Sequence, residues 1–358
     1  MPVTRAVGVQ LPDLSGVRLA YSGHLSLNIV PALGALPARG AQLFLTTCNP
    51  STVRNEVVEH LTDRGAEAYA WKNMPPEAYR AGIDQALAWQ PTHTCEMGAD
   101  LTVAAHAAGV TSIHAALEAT GSGINRLAGL ALRYPVFNWD DLPIKEGLHN
   151  RHMVGLTTWT MFFERTWLSL HGKRVVVVGY GLVGQGVAAS AKAFGGVVSV
   201  VEHDAARRLQ ARYDGWLTGA LLDLAPTADV VVTATGAAGV IDTETIACLK
   251  PGCFLINVGH TADEIDLAAL PERRAVLPHI DACRVGNHEI YLVAGGAMAN
   301  LTAGHGDSLN AFDVTAAVMT AGVGFIATRD DAWASAVHPL PEAVWRGVAE
   351  STVGGEGW

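Results

Sequence analysis

Residues 173–204 read KRVVVVGYGLVGQGVAASAKAFGGVVSVVEHD. A run of valines meets a glycine turn, a helical stretch follows, and a second valine-rich run ends in an acid. A continuous β-branched run of this length is the signature of a buried parallel strand. Gly179, Gly181 and Gly184 form G-x-G-x-x-G directly after the first run. In that pattern the first glycine permits the tight turn and the second lets a pyrophosphate approach the backbone. The third lets helix and strand pack closely, and the helix N-terminus, opening here on Leu182 and Val183, faces the phosphates. Glu202 closes the second strand, where a carboxylate accepts hydrogen bonds from ribose hydroxyls and repels a 2′-phosphate. The expected cofactor is therefore NAD rather than NADP.

Nearly half of the 358 residues precede this motif, and a chain of that length normally divides into two cores. The first half alternates strand signals with helical stretches: VRLAYSG, AQLFLTTCN, GAEAYAW, PTHTCEMG, VTSIHAALE and YPVFNWDD. The second half does the same with RVVVVG, VVSVVE, ADVVVTATG, CFLINVG and AVLPHI. Such alternation predicts the α/β class, with two doubly wound parallel-sheet domains, the C-terminal one a Rossmann NAD-binding domain. The expected division is 1–155 for a catalytic domain and 156–311 for the dinucleotide domain, with 312–358 returning to complete the first. An amphipathic helix over Leu156–Leu170 is expected to link them.

Composition narrows the function. The net charge is −10 with no lysine or arginine block, which argues against nucleic acid as a partner. No uninterrupted apolar run reaches the roughly 18 residues of a membrane helix, and the start has no basic-then-apolar leader. A cytoplasmic protein without a membrane partner is expected. The five cysteines are scattered without C-x-x-C spacing, and His149 and His152 alone make a weak ligand pair, so no metal is expected.

Longer stretches carry a resemblance. HLSLNIVPALGALPARGAQLFLTTCN, YPVFNWDDLPIKEGLHN, GYGLVGQG, VVTATG, NVGHTADEID and NLTAGHGDSLNAF follow one another in this order. Together they resemble the S-adenosylhomocysteine hydrolase family over nearly the whole chain. The resemblance implies NAD-dependent oxidation of the 3′-hydroxyl of a nucleoside, loss of the acidified C4′ proton, expulsion of the 5′-thiol, addition of water and re-reduction. It places the activity in one-carbon metabolism and implies a homodimer or homotetramer acting on a small-molecule substrate.

The resemblance also implies roles residue by residue. Lys145 helps to take the 3′-hydroxyl proton, and Asn150 positions that site beside nicotinamide. His24 serves elimination and addition at the 5′ position. His260 lies near the reacting ribose, Asn300 holds the carboxamide, and His305 lies near the base edge. Thr120, Ser122, Thr235 and Gly236 touch the cofactor. Ser26, Asn28, Asn49, Met97 and Glu118 fall at substrate-contacting positions.

Several positions depart from the family pattern. Met97 and Ala119 stand where the family has carboxylates, and His149 replaces the aspartate before Asn150, where it could take over a base role. Asn28 replaces the glutamate that reads the adenine amino group, Ser26 a threonine, and Val154 a cysteine. Asn28 is expected to reach an adenine amino group through its side-chain oxygen. The closing tail of the family is missing before Trp358, which predicts an exchangeable cofactor. The expected activity is thus oxidation of a secondary alcohol on a nucleoside or compact polar analogue, with elimination or addition alongside. Adenosylhomocysteine is expected to be a poor substrate. A plain NAD-dependent dehydrogenase and a non-catalytic NAD- or nucleoside-binding regulator remain open alternatives. The 2-hydroxyacid dehydrogenases are disfavoured, because INVGHTADEID lacks their carboxylate-gripping arginine.

Overall fold

The computed structural model describes residues 1–329 and 333–354. The missing-tail reading at Trp358 lies outside the described residues. In chain order the strands are β1 Arg18–Ser22, β2 Gln42–Thr46, β3 Glu67–Ala68, β4 His93–Glu96, β5 Ala115–Glu118, β6 Val136–Asn138, β7 Arg174–Val178, β8 Val197–Val201, β9 Leu217–Thr218, β10 Val230–Thr233, β11 Phe254–Asn257, β12 Arg273–Leu277, β13 Ile280–Val285, β14 His288–Val293 and β15 Val337–Pro339. They fall into two compact units, one of residues 1–146 with 308–358, the other of residues 147–307. The boundaries lie at Glu146/Gly147 and Asp307/Ser308, earlier than the expected 155/156 and 311/312. The helix Val154–Thr166 accordingly belongs to the second unit.

The first unit carries a sheet in the order β15-β6-β5-β4-β1-β2-β3, every neighbouring pair parallel. β1, β4 and β5 are buried on both faces, which is why their sequences show little polar alternation. The helix Leu309–Thr328 is long and apolar enough to cross a membrane by length and composition, but two thirds of its most apolar window, 67%, is buried. It is a core helix, packed against β5 and the helices Pro2–Gln10 and Glu342–Gly354. Asp313 joins the two ends of the chain. Its carboxylate accepts hydrogen bonds from Val3 N at 3.0 Å and Thr4 N at 2.7 Å, in the donor-rich first turn of Pro2–Gln10.

The second unit has the order β12-β13-β14-β11-β10-β7-β8-β9. From β14 to β9 it is parallel, and β13 runs antiparallel to both β12 and β14. The expected all-parallel sheet therefore ends in an antiparallel edge. The cause is a tight hairpin: Val285 pairs with His288 across Gly286 and Asn287, and Gly286 takes φ +56°, which a residue with a Cβ adopts at a cost.

Candidate functional site

In both units the residues singled out from sequence follow the carboxyl ends of parallel strands, where open α/β sheets bind ligands. After β1 come His24, Ser26 and Asn28, and after β2 comes Asn49. Met97 follows β4; Ala119, Thr120 and Ser122 follow β5; Lys145 lies beyond β6. In the second unit Gly179, Glu202, Thr235 and His260 follow β7, β8, β10 and β11.

The dinucleotide turn has the expected form. Gly179 sits at φ +97°, and a Cβ there would lie 2.7 Å from the Ala234 carbonyl oxygen. A side chain at Gly184 would collide with the Gly179 carbonyl, so helix and turn meet backbone to backbone. Gly181 caps the helix Leu182–Ala193 in extended conformation. Glu202 is buried, and its two oxygens accept Tyr180 N at 2.7 Å and Asp204 N at 2.9 Å. Oε1 also lies 3.1 Å from His203 Nδ1, while Oε2 keeps a second lone-pair direction for a ribose hydroxyl.

Two buried residues that the sequence reading missed shape the neighbouring loops. Glu264 accepts Thr235 N at 3.1 Å, Thr235 Oγ1 at 2.6 Å and Gly236 N at 2.7 Å. A side chain at Gly259 would collide with Glu264. Asn257 accepts Gly259 N at 2.7 Å and donates to Thr261 O at 2.7 Å and Gly296 O at 2.9 Å, which fixes the loop bearing His260. Asn300 is 2% exposed, and its Oδ1 accepts no hydrogen bond. A buried acceptor without a donor costs about 1–3 kcal/mol. A carboxamide N–H₂ is a group that would satisfy it. The glycine-lined turn, the buried acid after β8 and this acceptor all fit NAD.

Lys145, His149 and Asn150 lie in a π-helical segment, Lys145–Met153. Such segments close at i+5 and concentrate at functional sites. Lys145 and Asn150 are spaced by that interval. Lys145 Nζ donates to the Ala119 carbonyl at 2.7 Å and is ion-paired with Asp140, a partner not singled out from sequence. His149 Nε2 lies 3.3 Å from Asp307 Oδ2, and both side chains are largely buried. The segment leans on the dinucleotide helix through glycine. A side chain at Gly155 would collide with the Gly186 backbone, and one at Gly186 with the Arg151 carbonyl.

His24 Nδ1 is 2.8 Å from Thr52 Oγ1 and 3.7 Å from Cys48 Sγ. Burial, then the charge of Asp100, pushes the Cys48 thiol well above its usual range, so it is no thiolate nucleophile. Ser26 Oγ donates to Asn28 Oδ1 at 2.5 Å. One of the two lone-pair directions of the oxygen expected to meet an adenine amino group is thus taken by Ser26. Asn49 caps a short turn by accepting Ser51 N at 3.1 Å.

Glu118 is wholly buried and accepts Gly98 N, Ala99 N, Thr120 N and Thr120 Oγ1 at 2.6–2.9 Å. Burial raises its pKa despite these bonds. Its carboxylate holds the turn after β4. Thr120 caps the helix Gly121–Leu127 by accepting Gly123 N at 3.0 Å, and Ser122 Oγ donates to Thr120 Oγ1 at 3.2 Å. Met97 is partly buried against the core, Ala119 is buried, and His305 is exposed.

This fold and this turn define an NAD-dependent enzyme with a Rossmann domain. The chain belongs to the S-adenosyl-L-homocysteine hydrolase family. The family model for the S-adenosyl-L-homocysteine hydrolase NAD binding domain matches residues 163–306. The chain is similar to the S-inosyl-L-homocysteine hydrolase of Methanopyrus kandleri, 32% identical over 98% of this chain and 86% of that protein. It is 33% identical to the adenosylhomocysteinase of Aeropyrum pernix, over 84% of this chain and 76% of that protein. A dipicolinate synthase chain from Bacillus halodurans shares the fold at a TM-score of 0.50 and 16% identity, covering 86% of this chain and 99% of that one.

Proposed function

We propose that the protein hydrolyses the thioether of a nucleosyl-homocysteine whose purine carries an oxo group at C6, with NAD as a recycled cofactor. The observation that carries the base preference is the Ser26–Asn28 hydrogen bond. With Oδ1 accepting from Ser26, the amide presents Nδ2 as a donor, and no hydrogen bond from Nδ2 is found among the described residues. A donor pairs with a 6-oxo group and not with a 6-amino group. A buried polar group matched to one substrate rejects the other because the wrong pairing leaves it unsatisfied. Overall identity does not discriminate, since relatives named for inosyl and adenosyl substrates match equally well.

Bound NAD supplies reversible oxidation of the ribose 3′-hydroxyl. Residues of the glycine turn, Glu202, Thr235, Gly236 and Asn300 would hold it. Lys145, as the neutral amine, takes up the hydroxyl proton, and Asp140 meets the ammonium so formed. His24, oriented by Thr52, hands a proton to the departing thiolate and takes one from the incoming water. Met97 and Ala119 carry no proton-accepting group, which separates this chain from the usual family pattern.

The test is a paired assay. The protein is incubated with NAD and either S-inosyl- or S-adenosylhomocysteine, and free thiol and released nucleoside are measured. The expected result is a kcat/KM at least about tenfold higher for the inosyl compound. Equal or reversed preference overturns the base assignment. Accumulation of NADH without thiol overturns hydrolysis in favour of a dehydrogenase.

A further inference from the structure

Glu96 and Glu118 end β4 and β5 and are Cα partners across the two strands, so both side chains leave the same face of the sheet. Both are buried, at 1% and 0% exposure, and among the described residues neither forms an ion pair. What they bind is one stretch of backbone. Glu96 accepts Leu101 N at 2.7 Å, Thr102 N at 2.9 Å and Thr102 Oγ1 at 2.5 Å. Glu118 accepts Gly98 N and Ala99 N, each at 2.9 Å. Gly98 and Ala99 take φ of +96° and +61°, a region that Ala99 enters only at a cost. Two anions side by side in a buried site with no cation repel strongly.

We propose that Glu96 and Glu118 hold a single proton between them, and that this carboxyl–carboxylate pair clasps the turn 97–102 and is opened by alkali. Glu96 Oε2 accepts one backbone N–H only and keeps a lone-pair direction for the proton. When the proton leaves to solvent base, two buried anions remain, and their repulsion works against the bonds that hold the turn. Burial, then the charge of Glu118, lifts the Glu96 carboxyl to about 8, and burial also raises Glu118. The folded protein thus holds the proton more firmly than the unfolded chain, where a glutamate titrates near about 4.3. The stability gained from the pair is therefore complete below that value and is lost as pH rises through about 8.

The groups around the pair are otherwise engaged. Ser22 on β1, in register with Glu96, carries no charge, and Asn138 on β6, in register with Glu118, donates to Asp141 at 2.6 Å. Arg126 donates to the Gly98 carbonyl and to Asp100 Oδ1, and Tyr79 donates to Asp100 Oδ2. His106 is bonded to the Thr102 carbonyl and to Arg133 N. Lys145 is held by Asp140 and the Ala119 carbonyl. Burial pushes up the Cys48 and Cys95 thiols and the Tyr134 hydroxyl, which stay neutral beside the pair.

The experiment uses the full chain and needs neither NAD nor substrate. Infrared spectra in heavy water, titrated from about pH 6 to about pH 10, follow the carbonyl stretch of a protonated carboxylic acid, and hydrogen exchange follows the Gly98, Ala99, Leu101 and Thr102 amides. A carboxylic-acid band should be present at the start and gone at the end. The four amides should lose protection at least about tenfold as it goes, after correction for intrinsic exchange. Glu96→Gln, which keeps an acceptor oxygen and carries no charge, should lack the band and keep its protection. Thr102→Val removes a donor that favours the anion and should move the band's midpoint to higher pH. No band in the wild type at about pH 6 overturns the shared proton. A band that survives Glu96→Gln, or a midpoint unmoved by Thr102→Val, belongs to another carboxyl and overturns it equally. Loss of the band with unchanged exchange overturns the clasp.

Discussion

Glu264 lies buried behind Thr235 and Gly236 and takes hydrogen bonds from the backbone N–H of each, at 3.1 and 2.7 Å. One carboxylate thereby sets the shape of the turn that follows β10. Glu264→Ala leaves three donors unsatisfied, the Thr235 hydroxyl among them. It should cost about 2–4 kcal/mol of stability and weaken NAD at least about tenfold. Thermal unfolding with and without NAD measures both. Unchanged affinity would remove the turn from the cofactor site.

Glu202 predicts the choice of cofactor. NAD should bind at least about tenfold more tightly than NADP, because a 2′-phosphate would be placed against a buried carboxylate. Glu202→Ala should narrow the gap, with some loss of stability from the freed Tyr180 N–H. Equal affinities in the wild type would sink the assignment.

Lys145→Ala should abolish thiol release, by at least about a hundredfold, and leave NAD affinity within about threefold. Its Nζ meets the Ala119 carbonyl and Asp140. A mutant turning over at the wild-type rate would reduce Lys145 to a structural ion pair.

His93 is buried in the first unit, where burial, then the charge of His114, pushes its pKa down to about 4. The unfolded chain titrates near 6.5 and so binds the proton more readily than the folded one between those values. Stability is therefore fully present above about pH 6.5 and is lost as pH falls towards 4, by roughly 3 kcal/mol for this group. His93→Gln should flatten that part of the unfolding profile in denaturant titrations. A variant with the same slope as wild type would show that other groups set the acid limit.

The glycine turn was legible because strand, turn, helix and acid are contiguous in sequence and each is dictated locally. The β13–β14 hairpin is equally local, with Gly286–Asn287 between two alternating runs, but it breaks the parallel βα pattern of β1 to β11. Glu118 shows a use that stayed hidden. Its type and position suit a substrate contact, yet its oxygens are taken by Gly98, Ala99 and Thr120, and only folding reveals that use. Asp140, Glu264 and Asp307 carried no signal alone, because an acid gains meaning from the donor it meets across the fold.

Gly186 meets the Arg151 carbonyl, and Gly155 meets Gly186, with no side chain between. The spacing between the phosphate-receiving helix and the segment bearing His149 and Asn150 is therefore one peptide thickness, with no rotamer to adjust it. That spacing works as a machinist's jig. A substitution at position 149 changes a side chain without touching that backbone contact, so the segment can vary its chemistry while the helix behind it stays in place.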